Sequence, residues 1–238
     1  MRKFPLVLLM LSISTALHSE ELPVVGTGDG FEMLQAVAAR FRQIEPSIEV
    51  RIPPSIGSGG GIAAVGSGAA RLARVARPLT EAERARGLAY VPVAKIPSAF
   101  FVHPSAGISR LDTVQLAAIY SGQISNWKEV GGTDLRIRVV RREDADSTLT
   151  TLRANMPGWN NIEITERSKT AVSTQEAVES VRLTEGAIGF GPYSKILDIG
   201  TKVLEIDGHH PSQAGYPSAG ELAYVYRSDG VADDVSKF

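Results

Sequence analysis

The chain has 238 residues, room for one large domain or two small ones, and its 43% apolar and 21% charged residues are those of a core-forming globular protein. A net charge of −1 and 6% aromatic residues exclude the basic surface and stacking platform of a general nucleic-acid binder. The absence of cysteine excludes a disulfide framework, a thiolate metal site, a thiol nucleophile and a lipid-modified N-terminal cysteine.

Arg2 and Lys3 precede an apolar stretch from Phe4 to Leu11 and a small-residue zone from Ser12 to Ala16, the pattern of a secretory signal peptide. It is assigned to residues 1–19, with cleavage after Ala16 or Ser19, and is too short to span a membrane. An exported, soluble, periplasmic protein is expected.

Leu22–Val25 reads as a short strand ending in Gly26-Thr-Gly-Asp-Gly30, followed by a helix with Phe31, Leu34, Val37, Ala38 and Phe41 on one face and Pro46 beyond its end. Ile48–Ile52 alternates as a strand, and Gly57-Ser-Gly-Gly-Gly61 precedes a second helix from Ile62. Strand, glycine turn and helix thus occur twice in the first 70 residues, the rhythm of an open α/β sheet. Val91–Val102, interrupted by Pro92 and Pro97, reads as a strand passing between domains. Helices are expected over Asp112–Tyr120, Asp146–Asn155 and Thr174–Leu183. Strands are expected at Leu135–Val140, Ile162–Thr165, Ala187–Phe190, Val203–Ile206 and Leu222–Val225. Ile62–Val65 leading to Gly68-Ala69, and Ala177–Val181 leading to Gly186-Ala187, hint at two similarly built lobes. A helix begins within Val231–Phe238 and stops early.

The two glycine turns carry the chemistry. Free N–H groups at a helix start, with glycine allowing close approach, make an anion site, and Thr27 and Ser58 add hydroxyl donors. Neither run is a P-loop, because Lys-Ser/Thr does not follow, and neither has the third glycine of a dinucleotide fingerprint. Ser58 does not fit a Gly-x-Ser-x-Gly nucleophile turn. A third place is Arg141-Arg142-Glu-Asp-Ala-Asp146-Ser147-Thr148, where a strand end delivers two forked cations to a helix opened by two hydroxyls. A solvated loop of paired surface charges is the alternative there. His209-His210 lacks a third ligand at useful spacing, so neither a metal nor a cofactor is expected, and Trp127 is read as a packing anchor.

Gly57-Ser-Gly-Gly-Gly-Ile62, Arg77-Pro-Leu79, Tyr120-Ser-Gly-Gln-Ile-Ser-Asn-Trp127-Lys-Glu-Val-Gly-Gly132 and Gly186-Ala-Ile-Gly-Phe190 occur in this order. Together they resemble the phosphate-binding proteins of bacterial ABC transporters, over roughly Val24 to Tyr226. The resemblance implies an α/β, type II periplasmic-binding-protein fold: two α/β lobes around a central ligand cleft, joined by crossing strands. Lobe I is expected over 20–95 plus 207–238 and lobe II over 96–206. It implies no catalysis, inorganic phosphate or a related tetrahedral oxyanion as ligand, and an ABC permease as partner of a monomeric receptor. The implied contacts are Thr27, Gly28, Asp29, Gly57, Ser58, Gly59, Ser147 and Thr148, with Arg141 or Arg142 near the charge.

Two departures bear on specificity. Where the family has an Asp before Arg-Pro-Leu, whose carboxylate accepts a proton from phosphate and repels sulfate, this chain has Arg71, then Arg74, Val75 and Ala76. Asp29 is a candidate substitute acceptor. The third loop also has Asp146-Ser-Thr-Leu149 in place of Ser-Gly-Thr-Arg. Arg71, Arg74 and Arg77 recur every three residues, either as an exposed helical or irregular edge or as a positive rim that steers anions. Two rival functions follow: a degenerate member of the fold serving as a sensor or partner-binding module, and a secreted serine hydrolase built on Ser58 or Ser147, which requires a histidine base.

Overall fold

The computed structural model describes residues 19–238. The signal segment lies outside the described residues apart from Ser19. No helix among them is long and apolar enough to cross a membrane.

The first third of the chain is a β-α-β-α-β unit. Strand β1 (Glu20–Gly26) buries Leu22 and Val24 on alternate positions. Helix α1 (Phe31–Ile44) follows and buries Leu34 and Ala38, four residues apart on one face. Strand β2 (Ile48–Arg51), helix α2 (Gly57–Gly66) and strand β3 (Leu72–Val75) complete the unit. Both β2 and β3 pair in parallel with β1. The short helix α3 (Glu81–Arg84) is closed by a Thr80–Glu83 capping box.

Strand β4 (Leu88–Val102) then runs for 15 residues. After it come β5 (Arg110–Leu111) and α4 (Thr113–Tyr120), the latter capped by Asp112. A second unit follows: β6 (Arg138–Arg142), α5 (Ser147–Asn155), β7 (Lys169–Ala171), α6 (Thr174–Arg182) and β8 (Ala187–Pro192). Both β7 and β8 pair in parallel with β6. The chain closes with β9 (Lys202–Val203), β10 (Glu205–Ile206), β11 (Ala219–Arg227) and α7 (Asp233–Lys237).

The principal sheet has the order β2-β1-β3-β11-β4-β8-β6-β7, with β9 also on β4. Two parallel triads, β2-β1-β3 and β7-β6-β8, therefore flank an antiparallel pair, β4 and β11. The first ten residues of β4 pair with β11 and the last five with β8, so this strand passes from one triad to the other. The register shift at Leu222/Ala223 falls beside Pro92, where the ladder lacks an N–H. Two segments with related patterns, Ile62–Ala69 and Ala177–Ala187, occupy equivalent places. Each holds a second helix followed, two or four residues past its end, by a left-handed glycine, Gly68 or Gly186, and leads to the strand beside the crossing pair. The largest core cluster packs Phe100, Tyr120, Trp159 and Phe190 ring to ring in the second half. Trp127 is fully buried beside them and donates to the Gly186 carbonyl at 2.9 Å.

Three expectations are corrected. Ile162–Thr165 is not a strand: the edge strand is Lys169–Ala171, which has no apolar alternation to announce it. The glycine run at 57–61 is the first turn of α2 rather than a loop before it. Arg71–Arg77 is neither a helix nor a steering rim, because β3 is buried at all four positions and Arg74 with it.

Gly26 at the end of β1 has φ 127°, and a Cβ there would lie 2.0 Å from the Arg74 carbonyl oxygen. Opposite it, a Cβ on Gly61 would lie 2.9 Å from the Gly26 Cα, so α2 sits directly on β1 through two glycines. Gly26→Ala is therefore expected to cost about 3 kcal/mol or more. Urea unfolding measures this, and an unchanged midpoint would remove the packing account.

Candidate functional site

In a parallel βα unit, ligands bind where the strands end and the helices begin. Here both triads turn those ends toward one another. From the first come the β1–α1 turn with Thr27, Gly28 and Asp29, and the β2–α2 turn leading to Ser58. From the second come the β6–α5 turn, Arg142 to Ser147, and the β7–α6 turn, ending at Thr174. The two turns of the first triad are laced together. The Ile56 N–H donates to the Gly26 carbonyl at 2.9 Å, and Ser55 borders Gly28.

The halves meet through hydroxyl and carboxyl groups. Ser147 Oγ donates to Asp29 Oδ2 at 3.0 Å and lies 3.5 Å from Thr27 Oγ1, which accepts from the Asp29 N–H. All three side chains are buried. Thr148 is buried beside Ser147, and Ser58 Oγ is held by the Ala76 N–H at 3.0 Å, leaving its own proton to donate. Gly57 and Gly59 flank it exposed, with open space where a Cβ would stand. Helix α2 has no side-chain bond from its N-cap residue, Ile56; in its first turn the Gly57 N–H donates to Ser55 Oγ at 3.2 Å.

Of the two neighbouring arginines, Arg142 is the one built into the site. It forms a buried ion pair with Asp146 at 2.8 Å and donates to Thr174 Oγ1 at 3.0 Å and to the Ala171 carbonyl at 3.1 Å. Strand alternation turns Arg141 the other way, with its guanidinium on the exposed Asp144 at 2.7 Å. Asp146 also caps α5 through the Leu149 N–H.

Beneath the first turn lies Arg74, fully buried and, among the described residues, without a carboxylate in contact. It donates to the carbonyls of Thr27, Val24 and Pro53. Holding the Thr27 carbonyl inward points the N–H of the same planar peptide, that of Gly28, the opposite way. Burial lowers Arg74 to about 10, opposed by the field of Asp29. Burial, and next the Asp146 carboxylate, push Asp29 up to about 6 against the hydrogen bonds of Ser147 and Thr27. Asp146 is also raised by burial, with Arg142 opposing. The site thus holds two cations and two acids, one of them poised to take up a proton.

Arg71 stands at the start of β3, at the opposite end from these turns, and is paired with Glu20 and with Asp234 at 2.9 Å. Arg77 is paired with Glu83 at 2.8 Å. The charge that replaces the family's Asp in sequence is therefore spent at the foot of the sheet. The serine-hydrolase reading fails on geometry. Ser58 and Ser147 are bonded to Ala76 and Asp29, whereas His103 and His210 bond Ser105 and Ser212, and His209 the Asp207 carbonyl. Sequence reasoning missed Thr174 and the central place of Arg142. Thr174 was legible as the counterpart, in the second unit, of Ser58.

A family profile described as the PBP superfamily domain matches residues 14–224. The chain belongs to this superfamily. The chain is 31% identical over 197 residues to the phosphate-binding protein PstS of Bacillus subtilis, covering 81% of itself but only 64% of that relative. It is 25% identical over 227 residues to PstS of Borreliella burgdorferi, covering 90% of itself and 81% of the relative. Among solved structures, a Clostridium perfringens protein assigned as a phosphate ABC transporter substrate-binding protein, with bound phosphate, superimposes with a TM-score of 0.82 at 26% identity, over 91% of this chain and 90% of that one. A Vibrio cholerae phosphate transport receptor gives 0.64 at 24% identity, over 92% and 91%, a likeness of fold. The superfamily's type II fold, with two α/β halves and crossing strands, is the architecture described above.

Proposed function

We propose that this chain is an exported solute-binding protein that captures phosphate, or a similar tetrahedral oxyanion, between two lobes and presents it to an ABC permease. The observation that carries this is the meeting of βα turns from both triads, where the buried Thr27, Asp29 and Ser147 come together across the halves through the Ser147–Asp29 hydrogen bond while Arg142 bridges the β6–α5 and β7–α6 turns through Asp146 and Thr174. The family and its phosphate-binding relatives support the same reading. Lobe I would comprise 20–95 and 207–238, and lobe II 96–206, with the segment up to Tyr216 riding on lobe II because Tyr216 packs against its core. Donors would come from Thr27, Ser58, Ser147 and Thr148, from the N–H groups of Gly28, Gly57 and Gly59 and from Arg142; Arg141 would stay on the rim. The receptor would work as a periplasmic monomer, and hinge closure would report occupancy to the permease.

Asp29 would set the specificity. As a carboxylate it accepts a hydrogen bond from a protonated phosphate oxygen, but faces a sulfate oxygen with no proton between them, which is costly in a buried site. Below a pH of about 6 it carries its own proton and can donate to either anion. Thermal unfolding with an anion panel tests this, because only ligands that prefer the folded form raise the midpoint. Phosphate and arsenate are expected to stabilise at pH 8 and at pH 5, and sulfate only at pH 5. A midpoint indifferent to all three would overturn the function; equal stabilisation by sulfate at pH 8 would remove the role of Asp29.

A further inference from the structure

Beside the anion site the same cleft opens into a groove that an inorganic ion would leave empty. Its volume is about 690 Å³, and Phe31, Met33, Ile96, Val178, Tyr193 and Ile196 give it an apolar wall drawn from both halves. Met33 and Ile196 are 38% and 54% exposed, an unusual investment of large apolar side chains at the mouth of a polar site. The groove and the anion site share two residues, Gly28 and Thr174. Thr174 receives the hydrogen bond of Arg142, while Gly28 contributes no side chain. A Cβ at Gly28 would lie 3.6 Å from both Ser55 and Thr174 Oγ1, so the missing methyl is what keeps the passage between the halves open.

Resting on the oxyanion reading above, we infer that the protein also binds monosubstituted tetrahedral oxyanions, phosphate monoesters or phosphonates, whose apolar substituent lies in this groove past Gly28 and Thr174. The head group would keep the donors of the anion site. One of its oxygens, or in a phosphonate the carbon that replaces it, would leave toward Gly28, and the substituent would rest on Phe31 and Val178. Because such an ion has one fewer oxygen to carry a proton, the hydrogen bond at Asp29 is best kept near pH 6, where the acid or the ligand supplies that proton.

Calorimetric titration at pH 6 with inorganic phosphate and with phenylphosphonate tests this on the wild-type protein and on Met33→Glu and Ile196→Glu, both at exposed positions outside the anion contacts. Phenylphosphonate is expected to bind at least as tightly as phosphate. Each substitution should weaken it tenfold or more and leave phosphate within twofold. Phosphate binding without phenylphosphonate binding would overturn the groove alone, as would equal losses for both ligands. Failure of both ligands on the wild-type protein would overturn the oxyanion reading, and the groove's role with it.

Discussion

Asp29→Asn is expected to make the ligand-free protein more stable at pH 7.5, by up to about 3 kcal/mol, which is the shift from 3.8 to about 6 converted at about 1.4 kcal/mol per unit. The sign follows from proton counting. A carboxyl whose pKa is raised by folding binds more protons in the native state, so stability falls as pH rises from about 4 to about 6 and stays low above it. Below that window both states are protonated and the penalty vanishes. Asparagine keeps an acceptor for Ser147 and does not titrate. Urea unfolding at pH 4 and pH 7.5 should therefore show a wild-type protein that loses stability relative to the variant as pH rises. Parallel profiles would place the charge of Asp29 in water. The same variant should lose its preference for phosphate over sulfate at pH 8, so stability and discrimination trade against one another at one side chain.

Arg142→Met is expected to have the largest effect on binding, a loss of 100-fold or more in phosphate affinity, and to cost about 3–5 kcal/mol in stability. The second figure reflects what it leaves behind: Asp146 buried without its cation, and Thr174 and the Ala171 carbonyl without a donor. Adding Asp146→Asn should recover much of the stability and none of the affinity, since the stranded charge is removed but the cation is not restored. Arg141→Met is the matched control. Its guanidinium is on Asp144, which is 71% exposed, so affinity should stay within threefold. Titration calorimetry on the pair measures this, and a larger loss from Arg141 than from Arg142 would reverse the assignment.

The parts that were legible in sequence are those whose signal is local. Glycine runs after strands marked two of the four turns, Asp146 before Ser-Thr marked the start of α5, and the short apolar run at Leu22–Val25 marked β1. What was hidden depends on which groups the topology brings together. Arg74 lies in Leu72-Ala-Arg-Val75, and an arginine in a strand reads as a surface position; it is buried because three backbone carbonyls, from Val24, Thr27 and Pro53, converge on it. Arg71 stands in sequence where the resemblance has the family's Asp, yet the strand carries it to the far end. Thr174 follows no glycine, and only the repeated β-α-β-α-β order makes it the counterpart of Ser58. The choice between Arg141 and Arg142 came down to the phase of one strand.

Titration calorimetry of the purified protein with phosphate at pH 8, repeated in two buffers of different ionisation enthalpy, bears most directly on a closed oxyanion site controlled by Asp29. Micromolar or tighter binding is expected, with nearly the same heat in both buffers, because at pH 8 the ionised Asp29 accepts a hydrogen bond from a proton that the phosphate already carries and none is taken from or given to the solvent. No binding of phosphate, or binding whose heat depends strongly on the buffer in the wild-type protein, would contradict it.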